Sequence, residues 1–365
     1  MSSLRMPVRL FASWLRPHLP SYLIYFVTAR CNARCSMCFY WREMEKFSPE
    51  KEMSPDETTK IAKHLPPLLQ LTLSGGEPFL REDLFELVKP LIEKGRPEFL
   101  SIPTNGILTD KIIRISEKIC SAFPGLNINL ELSIDGIGEI HDQIRGKKGA
   151  YENVLDTWRE LKAVQKKFKH LRLATLTVLS AYNQDNILAL LKFIKYELEP
   201  DRMEVMLARG ETREKSAKEV NLEKFKQASQ WLARESPEQN GFINKLREKL
   251  AEEKRNLIIE TVEKNQMLIP CVAGKKLLVI EPDGTVLPCE MLSILYPNMP
   301  AEPGITDIAL GSLREANYEL RKILKSEKAQ KILNLIQKNQ CYCTYECAIL
   351  ANFIFQPGKI FRILS

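Results

Sequence analysis

Between residues 22 and 208 the chain alternates short apolar runs with amphipathic stretches, a pattern that predicts repeated βα units and a parallel sheet. The apolar runs place strands at 22–28, 69–74, 98–103, 127–134, 171–179 and 203–208. The stretches between them carry helix punctuation. Ser54 stands before Pro55 and three residues ahead of Glu57, a capping box with proline at the first helical position. Leu84, Leu87, Val88, Leu91 and Ile92 form one stripe that Gly95 terminates, and Tyr151, Val154, Leu155, Trp158 and Leu161 repeat it. Six units are too few for a closed eight-stranded barrel. Residues 211–265 are dense in Lys and Glu and show no strand pattern. Stripes at Phe225, Ala228, Trp231 and Leu232, and at Phe242, Ile243, Leu246 and Leu250, predict two amphipathic helices there. Further on, Pro282, Asp283 and Gly284 signal a hairpin turn between Lys276–Ile280 and Val286–Leu287. At the start, Leu4, Leu10, Phe11, Trp14 and Leu15 against arginines predict a small basic amphipathic helix over 4–15. Packing across the bottom of a barrel is favoured for it over peripheral contact with a membrane.

With 365 residues the chain has room for one large and one small domain. A hydrophobic fraction of 44% and a charged fraction of 27% place it among soluble globular proteins. The net charge of +7, from 53 Lys+Arg against 46 Asp+Glu, is mild, and no run of five or six basic residues marks a nucleic-acid arm. No nucleic-acid partner is expected. Arg16 interrupts the apolar start before it reaches the length of a secretory core or a membrane span. The nine cysteines fall as three, then five, with Cys120 alone. Such clusters belong to metal sites in a reducing compartment, so a cytoplasmic location is expected. Cys120, on the apolar side of a predicted helix, reads as a small buried hydrophobe.

Chemistry concentrates at predicted strand ends. Cys31, Cys35 and Cys38, spaced Cys-x3-Cys-x2-Cys, follow the first strand. Three thiolates on one short loop can hold three irons of a [4Fe–4S] cube and leave the fourth iron open to an outside ligand. Zinc fits a lone trio poorly, because its ligands usually come as two knuckles. Gly75, Gly76, Glu77 and Pro78 follow the second strand, Asn105 the third, and Ser133 and Asp135 the fourth. These tips share one face of an α/β barrel, where working groups sit. The glycine pair lets backbone approach a ligand closely. A hydroxyl at Ser133 and a guanidinium at Arg145 could clamp a carboxylate. For Asp135 and His141, a turn and a cap explain the residues equally well.

The cysteine loop followed by Gly75-Gly76-Glu77-Pro78 resembles the radical S-adenosylmethionine (SAM) superfamily over about residues 22–208. The resemblance implies an α/β fold, a partial (β/α)6 TIM-type barrel whose lateral gap admits substrate. It implies a [4Fe–4S] cluster at Cys31, Cys35 and Cys38 that binds SAM. Gly75, Gly76, Glu77 and Pro78 would then meet the methionyl amino group and Ser133 and Arg145 its carboxylate, with Asn105 and Asp135 as further pocket candidates. Met37 stands where the family usually has an aromatic residue beside the adenine, a contact that a polarizable thioether can replace.

The second cysteine group resembles SPASM and twitch domains over about 266–350. Cys271-x12-Gly284-x4-Cys289 matches their opening, and Cys341-x-Cys343-x3-Cys347 supplies further thiols. A full SPASM domain carries seven cysteines and two clusters. Five suggest one auxiliary [4Fe–4S] cluster held by Cys271, Cys289, Cys347 and either Cys341 or Cys343, with structural zinc as the alternative. The expected organisation is an extension (1–21), a partial barrel (22–210), a helical linker (211–265), a small β-hairpin and helix iron–sulfur domain (266–350) and a tail (351–365). The expected activity is reductive cleavage of SAM and hydrogen abstraction from a peptide or small-molecule substrate, fed by a flavodoxin- or ferredoxin-like donor. A step in cofactor or lipid assembly, and an iron–sulfur carrier or scaffold without catalysis, are the alternatives.

Overall fold

The computed structural model describes residues 5–16, 19–235, 242–296, 305, 307–338 and 341–356. Helix α1 (Arg5–Trp14) precedes strand β1 (Tyr22–Thr28), and α2 (Trp41–Lys46) and α3 (Pro55–Ala62) lead to β2 (Gln70–Gly75). Then come α4 (Leu84–Gly95), β3 (Phe99–Thr104), α5 (Thr109–Ala122), β4 (Asn127–Ser133), α6 (Glu139–Arg145) and α7 (Ala150–Lys167). The repeat closes with β5 (Leu171–Leu179), α8 (Ile187–Phe193) and β6 (Arg202–Leu207). Each strand lies within one residue of its sequence-based range at both ends. The capping box forms at α3, where Ser54 N donates to Glu57 Oε2 (2.9 Å) and Glu57 N to Ser54 Oγ (3.3 Å).

Beyond the barrel lie α9 (Leu222–Glu235), α10 (Phe242–Lys264), β7 (Leu277–Ile280), β8 (Thr285–Leu287), α11 (Leu292–Leu295) and β9 (Gly311–Ser312). Helices α12 (Leu320–Lys325), α13 (Glu327–Gln337) and α14 (Glu346–Ile354) follow. Nine strands form one open sheet in the order β6-β5-β4-β3-β2-β1-β7-β8-β9. The six barrel strands are parallel, and the sheet is a partial barrel. The C-terminal hairpin continues this sheet: β7 runs parallel to β1, with Tyr22 opposite Leu277 and Tyr25 opposite Ile280. The physical reason lies in β7 itself. All four residues of Leu277–Ile280 are buried, as in a strand covered on both faces.

Alternation along the strands separates two environments. Leu71, Leu73, Leu100, Ile102, Ile128 and Leu130 are fully buried in the apolar core. The opposite face is polar: Gln70 Nε2 donates to Ser101 Oγ (3.0 Å), and Arg202 pairs with Glu131 (2.7 Å). Helix α10 sends Lys254 to Glu204 on the edge strand β6, a buried pair 2.8 Å apart. Burial would raise the Glu204 pKa, but Lys254 and Arg202 outweigh it and hold the carboxyl down at about 2. In the linker, Phe225, Ala228 and Leu232 of α9 are buried as the stripe predicted. The side chains of Phe242, Ile243 and Leu246 lie outside the described residues.

Helix α1 packs across the amino-terminal ends of the strands. Arg9 reaches Glu98 (3.2 Å), and Trp14 Nε1 donates to Ile354 O (3.2 Å). Lys276 Nζ caps the helix by donating to Ser13 O (2.6 Å) and Arg16 O (2.7 Å), a cation on the terminal carbonyls.

Candidate active site

The cysteine loop leaves the carboxyl end of β1 and is bound on both sides. Gly76 N donates to Thr28 O and Glu77 N to Arg30 O, each at 2.8 Å, which joins the glycine turn to the loop. Arg34 N and Ser36 N donate to Arg145 O and Ile144 O, each at 2.9 Å, which joins the loop to α6. The segment after β6 crosses to the same loop: Arg213 N donates to Cys38 O (3.0 Å) and Glu214 N to Ser36 O (2.8 Å). Strand β6 is not a neighbour of β1 in the sheet, so this segment ties the two ends of the partial barrel together at the tips.

Within the loop, Cys31, Cys35 and Cys38 are free and partly exposed. Burial pushes Cys31 up to about 12 and Cys38 up to about 11, and ionised neighbours in the trio push further in the same direction. Cys31 and Cys38 therefore keep their protons at neutral pH unless a metal displaces them. Two side-chain donors reach the sulfurs. Asn105 Nδ2 is 3.9 Å from Cys31 Sγ, and Arg145 Nη1 is 3.6 Å from Cys35 Sγ. Asn105 is oriented by Asn32, whose Oδ1 accepts from the same amide at 2.7 Å.

Arg145 meets Asp135 rather than Ser133. Its Nη2 lies 2.5 Å from Asp135 Oδ2, and both side chains are buried. Desolvation raises the Asp135 pKa, opposed by the facing guanidinium. Arg145 Nε is buried without a hydrogen-bond partner among the described residues. Among the described residues the Ser133 side chain makes no hydrogen bond to Arg145. His141 Nδ1 accepts from Asp135 N (3.1 Å), a cap on the strand tip, and burial lowers its pKa to about 3.

Glu77 points inward. Its carboxylate accepts from Thr104 Oγ1 (2.8 Å), Asn105 N (2.8 Å) and Phe79 N (3.2 Å), so it locks the tips of β2 and β3 together. Burial pushes its pKa up to about 7 against these three donors. Pro78 is buried at the start of the following 3-10 turn. Met37 packs with Ile144 and Ala217, bordered by Cys35, Ile140, Val178 and Ala208. It thus sits where the cysteine loop, α6 and the segment after β6 meet.

The second cysteine group gathers at the β7–β8 hairpin. Cys271, Cys289, Cys341 and Cys343 line one small cavity with Met267, Ala273, Met291 and Leu292. Burial raises Cys289 well above an ordinary thiol, and Cys343, Cys271 and Cys341 each add to the rise. Cys347 is not among the residues lining that cavity. Burial pushes it up to about 12, Glu290 and Glu346 add to the rise, and Arg209 opposes it. Arg209 lies between the two cysteine groups: it pairs with Glu346 and, at 3.5 Å, with Glu290. Its guanidinium stacks 5.3 Å from Phe39, beside Cys38, and 4.8 Å from Tyr345.

One buried pair escaped the sequence reading. Tyr40, two residues after Cys38, donates to Glu281 Oε2 (2.5 Å) at the end of β7. A carboxylate directly after the apolar run Leu277–Ile280 was the available signal. Burial pushes Glu281 up to about 8, with Glu43, Asp283 and Glu290 adding repulsion. Between about pH 4.5 and 8 the folded state then holds a proton that the unfolded state releases, so this residue's contribution to stability falls as pH rises through that window. Glu281→Gln keeps the acceptor for Tyr40 and removes the slope. Thermal unfolding should show the variant more stable than the parent at pH 8.5, by on the order of 2–4 kcal/mol, with the gap closing toward pH 5. A gap independent of pH would show that Glu281 is ionised throughout.

Residues 25–194 match the radical SAM superfamily, and residues 271–348 match the SPASM iron–sulfur cluster-binding domain. The chain belongs to the radical SAM superfamily of enzymes and carries a C-terminal SPASM-type iron–sulfur domain. Its cofactors are those of the family: a [4Fe–4S] cluster, SAM, and auxiliary iron–sulfur in the second domain. An AdoMet-dependent heme synthase of Methanosarcina barkeri (strain Fusaro / DSM 804) is 26% identical over 298 residues, 78% of this chain and 80% of that protein. The Fe-coproporphyrin III synthase of the same strain is 34% identical over 150 residues, 38% of this chain. That match spans 35% of the relative's length. In fold, the chain is similar to the crystal structure of Streptococcus suis SuiB bound to S-adenosylmethionine. The TM-score is 0.59 at 15% identity, over 89% of this chain and 71% of that one. Among the described residues no helix is long and apolar enough to cross a membrane.

Proposed function

We propose that the protein reductively cleaves SAM at the loop of Cys31, Cys35 and Cys38 and uses the resulting radical to take a hydrogen atom from a peptide or small molecule. The observation that carries this reading is the juxtaposition of three thiols on one strand tip with two buried donors, Asn105 and Arg145, aimed at their sulfurs. Hydrogen bonds to sulfur tune such a cluster. Cys31, Cys35 and Cys38 would hold a [4Fe–4S] cluster, which, given one electron from a flavodoxin- or ferredoxin-class donor, would supply the reductive cleavage of SAM into methionine and a 5′-deoxyadenosyl radical. Glu77 holds the tips of β2 and β3 in register, Met37 offers a thioether surface to an adenine, and Arg145 presents its free Nε edge to a carboxylate.

Arg145 serves two partners, so Arg145→Ala should weaken SAM binding by about tenfold or more and leave Asp135 a buried unpaired acid. Equilibrium dialysis of SAM against reconstituted protein checks this. Unchanged affinity would restrict Arg145 to holding the loop.

The auxiliary cluster falls to Cys271, Cys289, Cys341 and Cys343, the four that line one cavity, with Cys347 as the spare thiol. This departs from the ligand set inferred from the motif, in which Cys347 was one of three fixed members. Cys347→Ala should keep about eight irons per chain, whereas Cys343→Ala should lose about four. Iron loss in the Cys347 variant alone would restore the motif's assignment.

The relative matched over most of its length is named for heme synthesis, which makes a tetrapyrrole the first substrate to test. Formation of 5′-deoxyadenosine that rises on adding a porphyrin, with a porphyrin product of changed mass, would support it. A cytoplasmic setting suits the reduced thiols and the electron donor.

A further inference from the structure

Eight large hydrophobic side chains are exposed among the described residues, and three of them lie on α1 or directly after it. Val8, Phe11 and Leu15 are 65%, 59% and 69% exposed. Their spacing of three and then four residues puts them on one helical face. Three of the other five are tyrosines, which carry a polar end; these three carry none.

The face is not a loose helix waiting to turn inward. Its other side is fastened by Arg9 to Glu98, by Trp14 to Ile354 O and by the Lys276 cap on its last carbonyls. Ser13, on the fastened side, is buried and bonded to Ser21. The exposed stripe is therefore a fixed feature of the folded chain.

Charge decides what it meets. Helix α1 lies at the amino-terminal ends of the strands, where α3 and α4 end. Arg16, Lys63, Lys94 and Arg96 are exposed at that end, and Arg96 O accepts directly from Arg9. Acids stand among them: Glu93, 4.0 Å from Lys89, Glu98, already paired with Arg9, and Glu319, beside His64 and 2.7 Å from Lys322. An apolar stripe with a basic rim suits a surface that offers both hydrocarbon and negative charge.

We propose that the outer face of α1 docks the protein on an anionic lipid bilayer, with Val8, Phe11 and Leu15 entering the acyl boundary and the basic rim meeting the headgroups. The cysteine loop, at the opposite ends of the strands, then faces away from the lipid. Docking is peripheral and leaves SAM chemistry untouched, because no contact described for α1 reaches the loop.

The test is flotation of the reconstituted full chain with vesicles of phosphatidylcholine alone and of phosphatidylcholine with 30 mol% phosphatidylglycerol. The expected result is binding to the second only, weakened by raising the salt from 0.1 to 1 M. Phe11→Asp/Leu15→Asp protein should lose about tenfold or more of that binding while its iron content and 5′-deoxyadenosine formation stay at parental level. Equal flotation of parent and variant overturns the proposal, as does absence of parental binding. Light scattering that shows a parental dimer broken by the same variant, without vesicle binding, overturns it in favour of a second copy on this face.

Discussion

Replacing Cys31, Cys35 and Cys38 together by alanine is expected to halve the iron of anaerobically reconstituted protein, from about eight to about four per chain, and to abolish SAM cleavage. The expectation follows from geometry on both sides of the molecule. The trio stands alone at the end of β1, served by Asn105 and Arg145, and the cavity at the hairpin has its own four thiols. No auxiliary thiol borders the trio closely enough to substitute for a lost ligand among the described contacts. Four remaining irons with a [4Fe–4S] absorption and no 5′-deoxyadenosine would match. Stoichiometric zinc beside four irons in the parent would instead make the hairpin site structural and leave the loop site standing.

Gly76→Ala is expected to cost nearly as much, through the backbone and not through SAM. A Cβ at Gly76 would lie 2.0 Å from Arg30 O and 2.9 Å from Ala29 O, and one at Gly75, where φ is +125°, would lie 2.1 Å from Thr28 O. These oxygens belong to the root of the cysteine loop, so the loop must move if either glycine gains a side chain. Destabilisation of about 3 kcal/mol or more is expected, with loss of the loop's iron and retention of the other four. Iron analysis and thermal unfolding together read the effect. Full iron with weaker SAM binding would place the role of the glycine at the ligand and not at the loop.

The sequence showed the strands and the first cysteine group because both are local signals. A run such as Tyr22–Thr28 fixes a buried strand by composition, and a Cys-x3-Cys-x2-Cys spacing fixes three thiols on one loop. The sequence concealed what depends on distant partners. The pairing of β7 with β1 joins residues about 250 positions apart, and only the unbroken apolar run of Leu277–Ile280 hinted at it. Arg145 could be placed on the segment after the β4 tip, but not its choice of Asp135 over Ser133. Lys254 sits in a stretch whose charges look solvated, and only the fold shows that it turns onto Glu204. That Cys347 does not line the hairpin cavity was likewise invisible in a motif that counts spacings.

The measurement closest to the central claim is anaerobic incubation of the reconstituted protein with SAM and dithionite, followed by chromatography and mass spectrometry of the nucleoside products. Formation of 5′-deoxyadenosine in step with methionine, absent from the Cys31→Ala/Cys35→Ala/Cys38→Ala protein, is the expected result. Protein that carries its full iron and binds SAM, yet forms no 5′-deoxyadenosine under reduction, would contradict it.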